Sequence, residues 1–164
     1  MSPRLPYRCA AALALTVCVS CGGSSTTPGD TPDGGVINCA TDPRAMTYSP
    51  GMSVVSTGKQ LKFTLLSSDP APPARGTDTW KLSVANAAGQ GLPNLTLQFV
   101  PPDPFMPDHG HGSSVTPTIA ANADGTYTIS NLYLFMPGVW RLTLGATPPG
   151  GTFDSAVFYF CVPG

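Results

Sequence analysis

The sequence contains no glutamate, and all nine of its acidic residues are aspartate. That absence excludes an HExxH metalloprotease and any mechanism needing a glutamate base or paired glutamates. Charge of either sign is scarce: charged residues make up 10% of the 164, and eight basic side chains nearly cancel the nine acidic ones. No basic stripe is present to follow a phosphate backbone, so the sequence disfavours nucleic-acid binding. It also has no GxSxG nucleophile elbow and no stretch of convincing helical periodicity. In their place stand 18 glycines and 19 prolines, the signature of a turn-rich chain. Hydrophobic residues at 41% support one domain with a real core, but hardly two.

The N-terminal residues read as an export segment. Arg4 and Arg8 precede an apolar stretch from Cys9 to Ser20, about 12 residues long and too short to span a bilayer. Residues 1–20 are therefore expected to be a signal peptide. The run Cys18-Val19-Ser20-Cys21, followed by Gly22-Gly23-Ser24-Ser25, resembles the lipobox of bacterial lipoproteins, although Cys18 stands where that pattern usually has Leu. The resemblance implies that Cys21 is lipidated, and an ordinary secretory signal peptide is the alternative. No Asp follows Cys21, which in that family implies the outer membrane, with the domain facing the periplasm or the exterior. Residues 21–38 carry Gly, Ser, Thr, Pro and Asp with almost nothing apolar, so they read as a flexible tether. Processing would leave only Cys39 and Cys161, one near each end of the folded part. A disulfide in an oxidising compartment is the economical reading, with a cysteine metal ligand as the alternative.

From residue 47 onward, apolar and polar residues alternate. Leu61, Phe63 and Leu65 share one face, as do Trp80, Leu82 and Val84, and Leu95, Leu97 and Phe99. Further strands are expected over 113–119, 126–134, 139–145 and 153–162, separated by Gly, Asn, Asp and Pro turns. Seven to eight short strands spaced in this way predict an all-β, immunoglobulin-like antiparallel β-sandwich over residues 39–164. Counting antiparallel directions from the strand 94–100 places the loops 67–77, 101–112 and 135–138 at one end, called the upper end here.

That end gathers the residues with the most distinctive chemistry. The loop Met106-Pro107-Asp108-His109-Gly110-His111-Gly112 holds both histidines of the chain, and the neighbouring loop holds Met136. Thioether sulfur and imidazole are soft or borderline neutral donors that suit copper, and Cu(I) in particular; Asp108 would add an oxygen for Cu(II). Met106, His109, His111 and Met136 are the candidate metal ligands, with Met52 a further sulfur. Zinc is the weaker choice, because His109, His111 and Asp108 are too close in sequence to share one tetrahedron readily. The plainer alternative is an exposed polar turn with Met106 and Met136 as core filling. Catalysis is not expected: Asp108 and His109 are neighbours that point apart in an extended chain.

The elements MPDHGHG, Gly125-Thr126-Tyr127 and Phe135-Met136-Pro137-Gly138-Val139-Trp140, in that order, resemble the YtkA-like domain, related in pattern to the FixH family. The resemblance covers about residues 60–144. It implies an exported, membrane-attached β-sandwich concerned with copper or with oxidase assembly. By position it carries over Met106, His109, Met136 and Trp140, and His111 is an addition. The expectation is a non-enzymatic envelope lipoprotein that binds or delivers copper to a copper partner or another envelope protein. The alternative is a structural or interaction module without metal.

The lipid anchor makes a direct prediction. Cys21→Ser is expected to shift the protein from the membrane fraction to the soluble fraction, because a lipid chain and no apolar helix would hold it there. Membrane retention after that change contradicts the anchor.

Overall fold

The computed structural model describes residues 39–164; the expected signal peptide, Cys21 and the tether lie outside the described residues. Seven strands have four residues or more: β1 (Met52–Val55), β2 (Leu61–Asp69), β3 (Gly76–Asn86), β7 (Thr118–Ala121), β8 (Tyr127–Leu134), β9 (Gly138–Ala146) and β10 (Asp154–Val162). Three more pair over two residues each: β4 (Gln98–Phe99), β5 (Phe105–Met106) and β6 (His111–Gly112). They form two antiparallel sheets. One has the order β1-β2-β3-β8-β7, and the other β10-β9-β5-β6, with β4 also pairing β9. This is the expected all-β sandwich.

The long strands form where the alternation predicts them, because every second side chain of each one enters the space between the sheets. Leu61, Phe63, Leu65, Trp80, Leu82 and Val84 come from one sheet, and Trp140, Leu142, Leu144, Phe158, Phe160 and Val162 from the other, all buried. Trp80 packs edge-on to Phe158 and Phe160, with centroids 5.9 and 5.4 Å apart. Such edge-to-face pairs add about 0.5–1.5 kcal/mol each beyond area burial. At the lower end, buried Asp154 accepts hydrogen bonds from the Gly58 and Gln60 amides at 2.8 and 3.0 Å, tying the β1–β2 turn to β10.

Two expected strands differ. Of 94–100, only Gln98–Phe99 joins a ladder. Leu95 and Leu97 still turn inward, but Tyr127 replaces a partner strand: its hydroxyl accepts from the Leu95 amide at 2.7 Å and donates to the Leu92 carbonyl at 2.6 Å. Of 113–119, only the end survives, as β7. Pro117 has no N–H to give a ladder, and the chain here leaves the β6 sheet and crosses to the β8 sheet. The loop 101–112 is no plain loop either, since it contains the β5–β6 hairpin.

β2, β8 and β10 end, and β3 and β9 begin, at the upper end. Register pairs Gly76 with Leu134 and Gly138 with Val162, and Arg75 donates to the Phe135 carbonyl at 3.0 Å. The Cys39–Cys161 disulfide is present, with Cα atoms 5.3 Å apart and a sequence separation of 122 between its partners. It pins the 3-10 turn Cys39–Thr41 to β10. A bridge closing so long a loop stabilises by roughly 4–5 kcal/mol through the unfolded chain. Cys39→Ser with Cys161→Ser should therefore lower the unfolding free energy by about that amount in urea titration. A doubly substituted protein as stable as the parent contradicts this role.

Candidate functional site

The β5–β6 hairpin lies beside β9 in the same sheet, β5 pairing with β9 at Phe105–Arg141, and an ion pair with a buried carboxylate holds it there. The Asp103 side chain has no solvent exposure and pairs with the Arg141 guanidinium at 2.7 Å. It also accepts the Thr143 amide at 2.7 Å. Arg141 lies 5.0 Å from the centroid of the Phe105 ring, and the carboxylate beside it raises the already high guanidinium pKa. Asp103 sits in a proline run, and its partner lies 38 residues away. The only local sign of this clamp is one charge among Pro101, Pro102 and Pro104.

This clamp places the candidate ligands. Met106 and His111 stand directly opposite each other in the hairpin ladder, so both project from the same face. Met106 is fully buried and belongs to the core cluster, whereas His111 is half-buried. The turn between them closes with the His109 and Gly110 amides donating to the Met106 carbonyl at 3.2 and 2.9 Å. Gly110 takes φ +69° there, a left-handed conformation glycine accepts readily. The turn brings the His109 ring back beside His111, with centroids 5.7 Å apart. Two imidazoles that hold one ion through bonds of about 2 Å have centroids roughly 5–6 Å apart, so this spacing is compatible with a shared ion.

Gly138 at the start of β9 is the point of closest approach. A Cβ built on it would lie 2.7 Å from the Met106 methyl carbon and 3.8 Å from His109 Nε2. The thioether end of Met106 and the imidazole of His109 therefore flank the same residue. Met136, two positions earlier, is half-buried against the core, and its carbonyl accepts the Trp140 indole N–H at 2.9 Å. That bond folds the second Met-Pro loop over Trp140. Phe135 supplies a wall, stacked on His111 at 5.7 Å and meeting Trp140 edge-on at 5.6 Å.

His109 is exposed and lines a pocket of about 380 Å³ with Cys39, Asp42, Asp108 and Gly138. A larger groove of about 480 Å³ runs along Leu97, Phe99, Pro104, Val115 and Ile119, and contains neither histidine nor methionine. Asp108, considered above as an oxygen donor, is committed elsewhere: both its oxygens accept from Arg44, at 2.9 and 2.7 Å. Arg44 also grips Asp42, whose carboxyl its hydrogen bonds lower to about 2. Met52 packs against the core from the edge strand β1. Among the described residues no three His, Cys, Asp or Glu side chains form a metal-holding group. The thioether of Met106 is the sulfur donor that approaches Gly138 together with His109.

Compared with known proteins, the chain matches no family model, no curated protein and no solved structure.

Gly138 has φ +132°, and a methyl group there would force the Met106 methyl to shift. Gly138→Ala is expected to cost about 1–3 kcal/mol in strain and overpacking and to displace the Met106 methyl. Denaturant titration with methyl NMR checks this. An unchanged midpoint with an unmoved Met106 signal contradicts the packing described.

Proposed function

We propose that the protein is an envelope lipoprotein, lipid-anchored through Cys21, whose YtkA-like sandwich binds or delivers copper without catalysing a reaction. The donors are Met106, His109 and Met136, with His111 assisting. The observation that carries this reading is the approach of both the Met106 methyl and His109 Nε2 to Gly138, with His111 opposite Met106 in the ladder. Thioethers and imidazoles form a neutral, soft set, and Asp108, the carboxylate beside His109 in sequence, is hydrogen-bonded to Arg44. Both facts favour Cu(I) over Cu(II) or a hard cation. Exposure is graded across the set, from exposed His109 through half-buried His111 and Met136 to buried Met106. An ion would meet imidazole first and thioether further in, a layout suited to transfer between proteins.

A metal-free interaction module of the envelope is the second reading. What favours it is that Met106 and His111 already have packing partners, the core for one and Phe135 for the other.

Cu(I) titration against a competing chelator separates the two. His109→Ala should abolish most binding near neutral pH. Met136→Leu keeps volume and apolar character, so it should weaken Cu(I) binding far more than folding. Imidazole binds metal only when deprotonated, so affinity should decline in acid, and what remains there should be due to sulfur. A Met136→Leu protein that binds Cu(I) as tightly as the parent makes Met136 simple packing. An absence of Cu(I) binding in the parent leaves the interaction module standing.

A further inference from the structure

Asp78 is a carboxylate in the core. It lies on β3, in phase with inward-facing Trp80, Leu82 and Val84, with no solvent exposure. Its Oδ1 accepts one hydrogen bond, from the Ala74 amide at 3.1 Å, and its Oδ2 has no partner. The groups around it offer no compensation. β2 brings Asp69, another acid, and β8 sets Leu132 opposite. In the segment 70–75, which links β2 to β3, Arg75 turns its Nε to the Phe135 carbonyl at 3.0 Å. Two residues along, the Trp80 indole N–H is also buried without a partner. Burial, reinforced by the charge of Asp69, pushes the Asp78 carboxyl up to about 7 despite the Ala74 bond.

Asp78 is joined to the Met/His cluster by a short path. It holds Ala74; the next residue, Arg75, holds the Phe135 carbonyl; and the Phe135 ring stacks on His111 at 5.7 Å and meets Trp140 edge-on. We propose that Asp78 is a proton-dependent positioning residue, acting through the segment 70–75 on Phe135 and thereby on the aromatic wall beside His109 and His111.

The physical reason is the unequal cost of burying the two forms. A neutral carboxyl with one hydrogen bond is tolerable in a core, but a carboxylate with one N–H and a neighbouring acid must admit water or move out. Ala74 and Arg75 move with it, and Phe135 loses an anchor. Between about pH 4, where an unfolded aspartate ionises, and about pH 7, the folded protein keeps a proton that the unfolded chain has released. Stability from Asp78 is therefore full below that window, declines as pH rises through it, and is flat above.

Amide NMR from pH 4 to 9 tests this without metal, and so independently of the copper reading. The protein is compared with Asp78→Asn and with a His109→Ala/His111→Ala variant that removes both imidazole titrations. The Asn side-chain oxygen still accepts from Ala74 but cannot titrate. Ala74, Arg75 and Phe135 amides are expected to move together with a midpoint near 7 in the parent and the histidine variant, and to stay flat in Asp78→Asn. In urea, the midpoint of Asp78→Asn should gain on that of the parent as pH rises from 4 to 7. A step at Ala74 with none at Phe135 refutes the coupling, and no step at Ala74 refutes the change of state. If Asp78→Asn does not fold, a midpoint shared by all three amides in the other two proteins still decides.

Discussion

The arrangement at the upper end depends on the buried contact of Asp103 with Arg141 and the Thr143 amide. A hairpin with two residues in each strand cannot hold itself in water. Docking on β9 through this contact gives it a fixed position, and everything chemically distinctive follows from that position. Met106 is driven into the core beside Gly138, His111 falls opposite it, and the turn folds His109 back over both. Removing Arg141 would cost about 3–5 kcal/mol, because the Asp103 carboxylate would be left charged and buried. The hairpin is thus held in place beside β9, which a ligand set built on a loop needs in order to be preorganised.

The rest of the sandwich supplies the platform. Trp80, Phe158 and Phe160 fill the middle, and the disulfide fastens the N-terminal turn to β10 next to the pocket that His109 lines. Arg44 completes that side by joining Asp42 and Asp108, which ties the segment after the 3-10 turn to the tip of the hairpin. The second Met-Pro loop is fixed by the Trp140 indole of β9 and by Arg75 of the β2–β3 connection. The site is framed on every side by contacts between segments far apart in sequence.

That distance explains what the sequence reveals and what it hides. The five long strands β2, β3, β8, β9 and β10 were legible because each buries one face over eight residues or more, which imposes a period of two. The clustering of both Met-Pro loops at one end was legible from strand direction alone. The alternation of Leu95, Leu97 and Phe99 was real as burial and misleading as hydrogen bonding, since a tyrosine hydroxyl takes the place of a partner strand. The hairpin was hidden, because two-residue strands have no period and four prolines surround them. Ion pairs join residues far apart in the chain: Arg44–Asp108 leaves no local trace, and Asp103–Arg141 only a lone charge among prolines. Asp78 did leave one, as an acid on the inward phase of a strong strand, and its significance needed the burial and the missing partner to be seen.

The central claim is that sulfur and imidazole at this end act together on one soft ion. X-ray absorption at the copper edge of the Cu(I)-loaded protein tests it most directly, because sulfur and nitrogen scatter differently. The account predicts a low-coordinate Cu(I) centre with thioether sulfur and imidazole nitrogen both in the first coordination sphere. A spectrum fitted by nitrogen and oxygen alone contradicts it, and returns Met106 and Met136 to the core as packing.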